Sequence, residues 1–218
     1  MKKKNDMILV PKYSSSFQKR VFDLLVGTSL LLCAMPAIVL TGTAIVIASG
    51  WPVFYSQPRL GKNKQVFTLY KFRTMKIGAD SRQKQFSKLN IAPAPMFKLK
   101  KDPRFTSIGY YLSHTGLDEL PQIFNVLKND MSLVGPRPLP IAEGKALKDD
   151  WNWRWQVKPG LFSYWVLSPH RYQSLEKWKQ LEKETIQISN LQADCILMVK
   201  ILSRQVKSLV DYFPSIFQ

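Results

Sequence analysis

From Leu24 to Ser49 roughly 25 residues pass without a single charge, the length an α-helix needs to cross the hydrocarbon core of a bilayer. A secretory leader has an apolar core about half that long and a small-residue cleavage site after it, and the stretch before Trp51 offers only a weak one. A buried core helix is the alternative. Upstream of the run lie Lys2, Lys3, Lys4, Lys12, Lys19 and Arg20; downstream lie Arg59, Lys62, Lys64, Lys71 and Arg73. Both flanks obey the basic bias of the cytoplasmic face, so a straight crossing would have to carry one basic cluster through the membrane. Pro36, near the middle of the run, deletes a backbone hydrogen bond and clashes with the preceding turn. Together these features predict a re-entrant helix-break-helix that enters and leaves on one side, with Thr28, Ser29, Thr41 and Thr43 as hydroxyl partners for freed backbone groups. An ordinary kinked spanning helix is the competing topology.

Composition sets the partners. The chain has 218 residues, 45% of them hydrophobic, which is enough for a packed core and excludes disorder. Its 32 Lys and Arg against 15 Asp and Glu leave a formal charge of +17, so partners should be anions: nucleic acid, anionic lipid or phosphorylated small molecules. Two distant cysteines, Cys33 and Cys195, make no disulfide framework and fit a reducing compartment. Two histidines are too few for a zinc site, which leaves a hard, oxygen-bound ion such as magnesium as the metal to expect.

Beyond the apolar run, Val53-Phe54-Tyr55 and Val66 to Tyr70 read as a β-hairpin around a turn from Pro58 to Asn63. In Lys71-Phe72-Arg73 the two cations would share one strand face, able to clamp a phosphate, with Phe72 turned to the core. Residues 79–95 read as a polar helix and loop, Asp102-Pro103-Arg104 as a turn, and Ser107 to Ser113 as a short helix. Adjacent carboxylates follow at Asp118 and Glu119. Pro121 is tolerated only in the first turn of a helix, which puts the pair at a helix N-terminus, where backbone amides favour negative charge. An N-capping role is the bland reading; a shared cation or acid/base work is the chemical one. In Gly135-Pro136-Arg137-Pro138 the flanking prolines restrict Arg137 and present its guanidinium at reduced entropic cost. Trp151, Trp153, Trp155, Trp165 and Trp178 suit either a membrane interface or a core. Residues 175–212 are helical in character, with a basic amphipathic face that would lie on an anionic bilayer or pack on the core.

The order of motifs is distinctive: Lys19-Arg20-x-x-Asp23, a run interrupted by Pro36, Arg59-Leu60-Gly61, Lys71-Phe72-Arg73-Thr74-Met75, Leu117-Asp118-Glu119-Leu120-Pro121-Gln122 and Met131 to Pro138. In this series the chain resembles the monotopic phosphoglycosyl transferases, the bacterial sugar transferases, most closely from Lys19 to Pro138. The resemblance implies an enzyme that moves a phosphosugar from a UDP-sugar to polyprenol (undecaprenyl) phosphate, opening a surface-polysaccharide or glycoconjugate pathway. It implies Asp118 as nucleophile, forming a covalent aspartyl-phosphosugar as UMP leaves, and Glu119 as its partner carboxylate for metal or proton handling, with Asp118 and Glu119 the residues to hold Mg2+. Lys71, Arg73, Arg104 and Arg137 are the candidate substrate-binding cations, and Lys19, Arg20 and Pro36 the membrane-segment residues.

The fold class to expect is therefore α/β, mostly α and membrane-associated: a basic tail over 1–18, a re-entrant membrane helix over 19–50, and a cytoplasmic catalytic domain over 51–218 with a small hairpin and amphipathic helices. Partners to expect are the two substrates and membrane phospholipid, with no nucleic acid and the oligomeric state open, at the cytoplasmic face of a bacterial inner membrane. The motif series begins close to the N-terminus, as in the minimal form of the family. Departures from the family pattern are also visible. An Arg usual upstream of the acidic pair is replaced by Ser113, with His114 or Arg104 as substitutes. The segment after Pro159-Gly160 has lost its usual polar residues, and Met35 stands before Pro36 where a Ser is frequent. Neighbouring carboxyls rarely sit on opposite sides of a sugar ring, so a two-carboxylate hydrolase fits poorly. An inactive, membrane-anchored relative that binds a partner, anionic lipid or nucleic acid is the rival.

Overall fold

In the computed structural model, residues 8–212 are described. Of the basic tail, Lys2, Lys3 and Lys4 lie outside them. The uncharged run becomes α1 (Phe17–Ser49), capped at its start by the Ser16 hydroxyl, which accepts from the Lys19 amide at 3.1 Å. It is the one helix among the described residues that is long and apolar enough to cross a membrane, and most of its surface is open. Helical backbone runs unbroken through Pro36, so the predicted break does not take the form of a gap in the helix.

Each end of α1 is fastened to the rest of the chain. Near its start, Arg20 donates to the Val126 and Leu127 carbonyls, both at 2.8 Å. Asp23 accepts from the Ser132 hydroxyl at 2.8 Å and the Leu133 amide at 3.0 Å. Lys19 is buried between Asp23 at 2.9 Å and Asp194 at 2.8 Å. Lys19 and Arg20 are thus internal ties, not lipid-facing charge. Near the other end, Ile45 packs with Val53, Phe72 and Leu112, and the Arg73 guanidinium donates to the carbonyls of Ser49, Gly50 and Pro52.

The hairpin is β1 (Phe54–Leu60) against β2 (Val66–Phe72), antiparallel from Phe54 opposite Phe72 to Leu60 opposite Val66. Pro58 to Leu60 belong to the strand, so the turn is shorter than the sequence suggests and spans residues 61–65. Pro58 sits in β1 opposite Thr68. A 3-10 turn covers Gln83–Leu89. Then come α2 (Ser107–Thr115), α3 (Gln122–Leu127), β3 (Ser132–Val134), β4 (Leu139–Pro140), α4 (Ile141–Lys145), β5 (Gly160–Phe162), α5 (Tyr164–Leu167), α6 (Leu175–Gln187) and α7 (Leu191–Tyr212). β4 extends the hairpin as an antiparallel neighbour of β1, and β3 pairs with β5 in parallel. The architecture is mostly helical with two small sheets. The long C-terminal helical stretch is two helices, because Asn190 caps α7 by accepting from the Ala193 amide at 2.9 Å.

All five clustered tryptophans are buried. Trp151 stacks on Trp153 at 5.7 Å and packs at a tilt against Trp178 at 4.9 Å, in a core with Leu60, Leu139 and Leu181. Of the two roles the sequence allows them, packing is the one observed. On α7 the apolar Leu191, Ile196, Val199, Val206 and Val210 face outward, while Leu197 and Ile201 fill a second core with Val126 and Leu133.

Arg73 is buried and donates to three carbonyls at the end of α1, so a side chain without those donors would leave a packed site with its polar bonds unmade. Arg73→Met should therefore lower stability by roughly 2–4 kcal/mol, read as a fall in the thermal unfolding midpoint in detergent, with Arg73→Lys recovering only part of it.

Candidate active site

The acidic pair is presented by a change of helix type. Helix α2 ends at Gly116, whose left-handed φ of 79° suits glycine. A 3-10 turn over Leu117–Glu119 follows, closed by the Glu119 amide on the Gly116 carbonyl at 3.1 Å. Leu120 and Pro121 keep right-handed helical angles and lead into α3. Leu117 and Leu120 face the apolar cluster around Ile45 and Phe72, which leaves the two residues between them turned elsewhere. Asp118 is buried, 6% exposed; the Glu119 side chain is partly open.

Lys71, from β2, stands between them. Its ammonium lies 3.0 Å from Glu119 Oε1 and 3.6 Å from Asp118 Oδ2. One cation serving two carboxylates leaves them unequal. Burial pushes Asp118 up to about 6 despite Lys71, with repulsion from Glu119 adding to the effect. For Glu119 burial acts in the same direction, but Lys71 and then Arg137 outweigh it and hold the carboxyl below its ordinary range. Glu119 is the permanent anion of the pair.

Asp118 opens onto a cavity of about 440 Å³, lined also by Tyr55, Gln57, Arg59, Lys71, Phe97, Arg137, Glu143 and Tyr172. Glu119 instead faces an adjoining recess of about 20 Å³, with Arg59, Lys71 and Arg137 common to both spaces. The four cations singled out from sequence all line the cavity, yet their charges are not equally free. Arg73 is spent on the end of α1. Arg104 makes a bidentate pair with Asp102, at 2.9 and 2.7 Å, and lies over the Phe97 ring. Lys71 belongs to the acidic pair. Arg137 remains: among the described residues its guanidinium has no hydrogen-bond partner and rests 4.6 Å from the centre of the Trp165 ring. Burial works against its charge, but Tyr172, Glu119, Glu143 and Glu182 outweigh burial and raise its pKa.

Sequence reasoning did not single out Arg59 as a ligand. It is buried, donates to the Pro138 carbonyl at 2.9 Å and to Gln57 Oε1 at 2.6 Å, and is lowered to about 10 by burial and by Arg137. It keeps its charge at neutral pH. Its place in the Arg59-Leu60-Gly61 motif was the available signal. Glu143 and Tyr172 carried none, since neither lies in a patterned segment. Ser113, at the position of the missing Arg, does line the cavity. His114 does not: its ring packs at a tilt 4.1 Å from that of Tyr110, with Nδ1 at 2.7 Å from the Tyr110 carbonyl oxygen. Of the two suggested substitutes, Arg104 lines the cavity with its guanidinium paired to Asp102, and His114 is absent from the lining.

Among the described residues no group of three or more His, Cys, Asp or Glu side chains converges on a metal position. Two neighbouring carboxylates are a donor set that fits magnesium, which keeps several waters and is commonly bound through one or two carboxylates.

The profile of the family described as "Bacterial sugar transferase" matches residues 14–210. The chain is 40% identical over 160 residues to the galactosyl transferase CpsE of Streptococcus agalactiae, covering 72% of this chain and 35% of that protein. It is 40% identical over 161 residues to the undecaprenyl-phosphate galactose phosphotransferase of Salmonella typhimurium, covering 72% and 34%. To the exopolysaccharide production protein ExoY of Sinorhizobium fredii it is 32% identical over 186 residues, covering 84% and 82%. The chain thus spans about a third of the length of the first two relatives and about four fifths of the third.

Because Asp118 binds its proton more tightly folded, near 6, than unfolded, near 3.8, its charge lowers stability as pH rises between those values, and the loss is complete above them. Asp118→Asn should therefore unfold at a higher temperature than the parent at pH 7.5, by roughly 1–3 kcal/mol in stability. The advantage should vanish below about pH 4; thermal unfolding across that range checks it.

Proposed function

The chain belongs to the bacterial sugar transferase family, and from that premise we propose that it transfers a phosphosugar from a UDP-sugar to undecaprenyl phosphate, releasing UMP. The observation that carries this reading is the pair itself: a buried carboxylate and its anionic neighbour share one ammonium at the wall of a cationic cavity. The cavity volume suits a nucleotide-sized ligand. The relative from Salmonella typhimurium named for undecaprenyl-phosphate galactose phosphotransfer supports the acceptor class.

An ionised Asp118 oxygen attacks the β-phosphorus of the donor, the bond from that phosphorus to the bridging oxygen breaks, and UMP leaves with the electron pair. A phosphate oxygen of the lipid then attacks the same phosphorus and displaces Asp118, giving the polyprenyl diphosphate sugar. Attack by one anion on another is opposed by repulsion, which Arg137, Arg59 and Lys71 offset from fixed positions in a site of low polarity. The raised pKa of Asp118 makes its carboxylate more basic while leaving it mostly ionised at neutral pH. Glu119 holds the Lys71 ammonium in place at 3.0 Å. Asp118 and Glu119 are the residues that would hold magnesium, which would supply further neutralisation of the diphosphate.

We also propose that α1 is re-entrant and that the cavity opens at the cytoplasmic face. Its 33 residues correspond to about 50 Å of helix, yet both ends are tied to one folded body. A single straight crossing would separate them by the whole bilayer. Cysteines placed at Lys12 and Lys64, with Cys33 and Cys195 replaced by serine, should react with an impermeant maleimide from the same side of sealed vesicles. Labelling from opposite sides would refute the topology.

Purified protein in detergent with magnesium and undecaprenyl phosphate should release UMP from one member of a panel of UDP-sugars. Asp118→Asn should abolish release, and kcat/KM for the parent should rise with pH to a plateau above about 6. Silence across the panel from folded protein would favour an inactive relative, with the missing cation at Ser113 as the reason.

A further inference from the structure

We propose that the buried Arg154–Glu182 ion pair is a positioning device for Arg137, holding that residue's main chain so that its guanidinium stands over the cavity to take the donor diphosphate. This rests on the reading of the cavity as a nucleotide-sugar site. Arg154 lies among the core tryptophans and Glu182 on α6, and neither lines the cavity. Their side chains are 1% and 0% exposed, and Arg154 Nε donates to Glu182 Oε2 at 2.7 Å. A second polar atom of each partner turns to one residue. Glu182 Oε1 accepts from the Arg137 amide at 3.0 Å, and Arg154 Nη2 donates to the Arg137 carbonyl. The three bonds close a ring through the Arg137 backbone.

The local sequence makes that ring decisive. Pro136 and Pro138 have no amide hydrogen, so Arg137 supplies the only backbone donor between them, and that donor goes to Glu182. The adjoining carbonyls are taken as well: Pro136 accepts from the Gly160 amide at 2.9 Å and Pro138 from Arg59 at 2.9 Å. Gly135 and Gly160 meet so closely that a Cβ on Gly160 would lie 2.0 Å from the Gly135 nitrogen. The Arg137 amide and the carbonyls of Pro136, Arg137 and Pro138 are all held, while the Arg137 guanidinium is left without a hydrogen-bond partner among the described residues. Packing alone does not require this arrangement, because a buried ion pair is often matched in stability by apolar side chains of similar volume. What apolar side chains could not supply is a donor and an acceptor fixed on one backbone unit.

The test is a double-mutant cycle between the pair and Arg137, read by UDP binding and by turnover in the purified full chain. Arg154→Met with Glu182→Leu should stay folded, with an unfolding midpoint near the parent's. It should nevertheless weaken UDP binding and lower kcat/KM by roughly 10- to 100-fold. Arg137→Ala should do the same, and the triple variant should be no worse than Arg137→Ala, since the pair then has nothing to aim. Should the apolar pair fail to fold, Glu182→Gln, which keeps an acceptor for the Arg137 amide, takes its place. It should give a smaller loss that likewise disappears in the Arg137→Ala background. Losses that add in the triple variant, or parental affinity in the apolar-pair variant, overturn the positioning role, as does a parent protein that does not bind UDP. UDP binding that follows the cycle while no donor yields UMP would leave the positioning role standing and overturn the transferase reading.

Discussion

A single buried ion cluster decides how this chain is put together. Lys19 sits between Asp23 of its own helix and Asp194 of α7, and Asp23 also takes the hydroxyl of Ser132 and the amide of Leu133 at the start of β3. Three elements far apart in sequence meet there with little water to substitute for a lost partner. Removing any one member would leave a buried charge or donor exposed to the full desolvation penalty. Because β3 runs directly into the turn that carries Arg137, the register of the cluster is also the register of the cavity wall.

The cavity shows how a chain of charge +17 keeps two carboxylates useful. Most cations near it are committed before any ligand arrives: Arg73 to carbonyls, Arg104 to Asp102, Lys71 to the acidic pair. Arg59 donates to the Pro138 carbonyl and Gln57 as well, so what is left is a small, oriented surplus centred on Arg137. The same economy separates the carboxylates, since Lys71 lies closer to Glu119 and burial falls harder on Asp118. Two adjacent residues of one 3-10 turn thereby acquire different chemistry from different surroundings, one a fixed anion and the other an ionisable group poised near neutrality.

The acidic pair was legible because Pro121 marks a helix start and places both residues just before it; the hairpin was legible from its aromatic and β-branched strands. Arg137 stood out through its flanking prolines. For Arg73 and Arg104 the cavity-lining place was legible but the internal partners were not, because a sequence displays charge but not whether that charge has a partner. The fate of the tryptophans was open because a large ring suits a core and a bilayer interface alike. Arg154 and Glu182 could not be found at all. One lies among tryptophans and the other on an amphipathic helix, and only the folded chain reveals that both address the backbone of Arg137. Pro36 misled in its local form, since α1 keeps its helical backbone through it.

The double fastening of α1 changes what kind of anchor this helix can be. A segment held at one end is a leash, and whatever hangs from it sweeps a volume and samples many tilts. Held at both ends, by Arg20 and Asp23 at one and by Ile45 and Arg73 at the other, it is a plinth. Whatever apolar medium its exposed middle beds into, the mouth of the cavity stays at one height and one inclination above it. A ligand embedded in that medium must then arrive at a fixed depth, so encounter becomes a search in two dimensions instead of three.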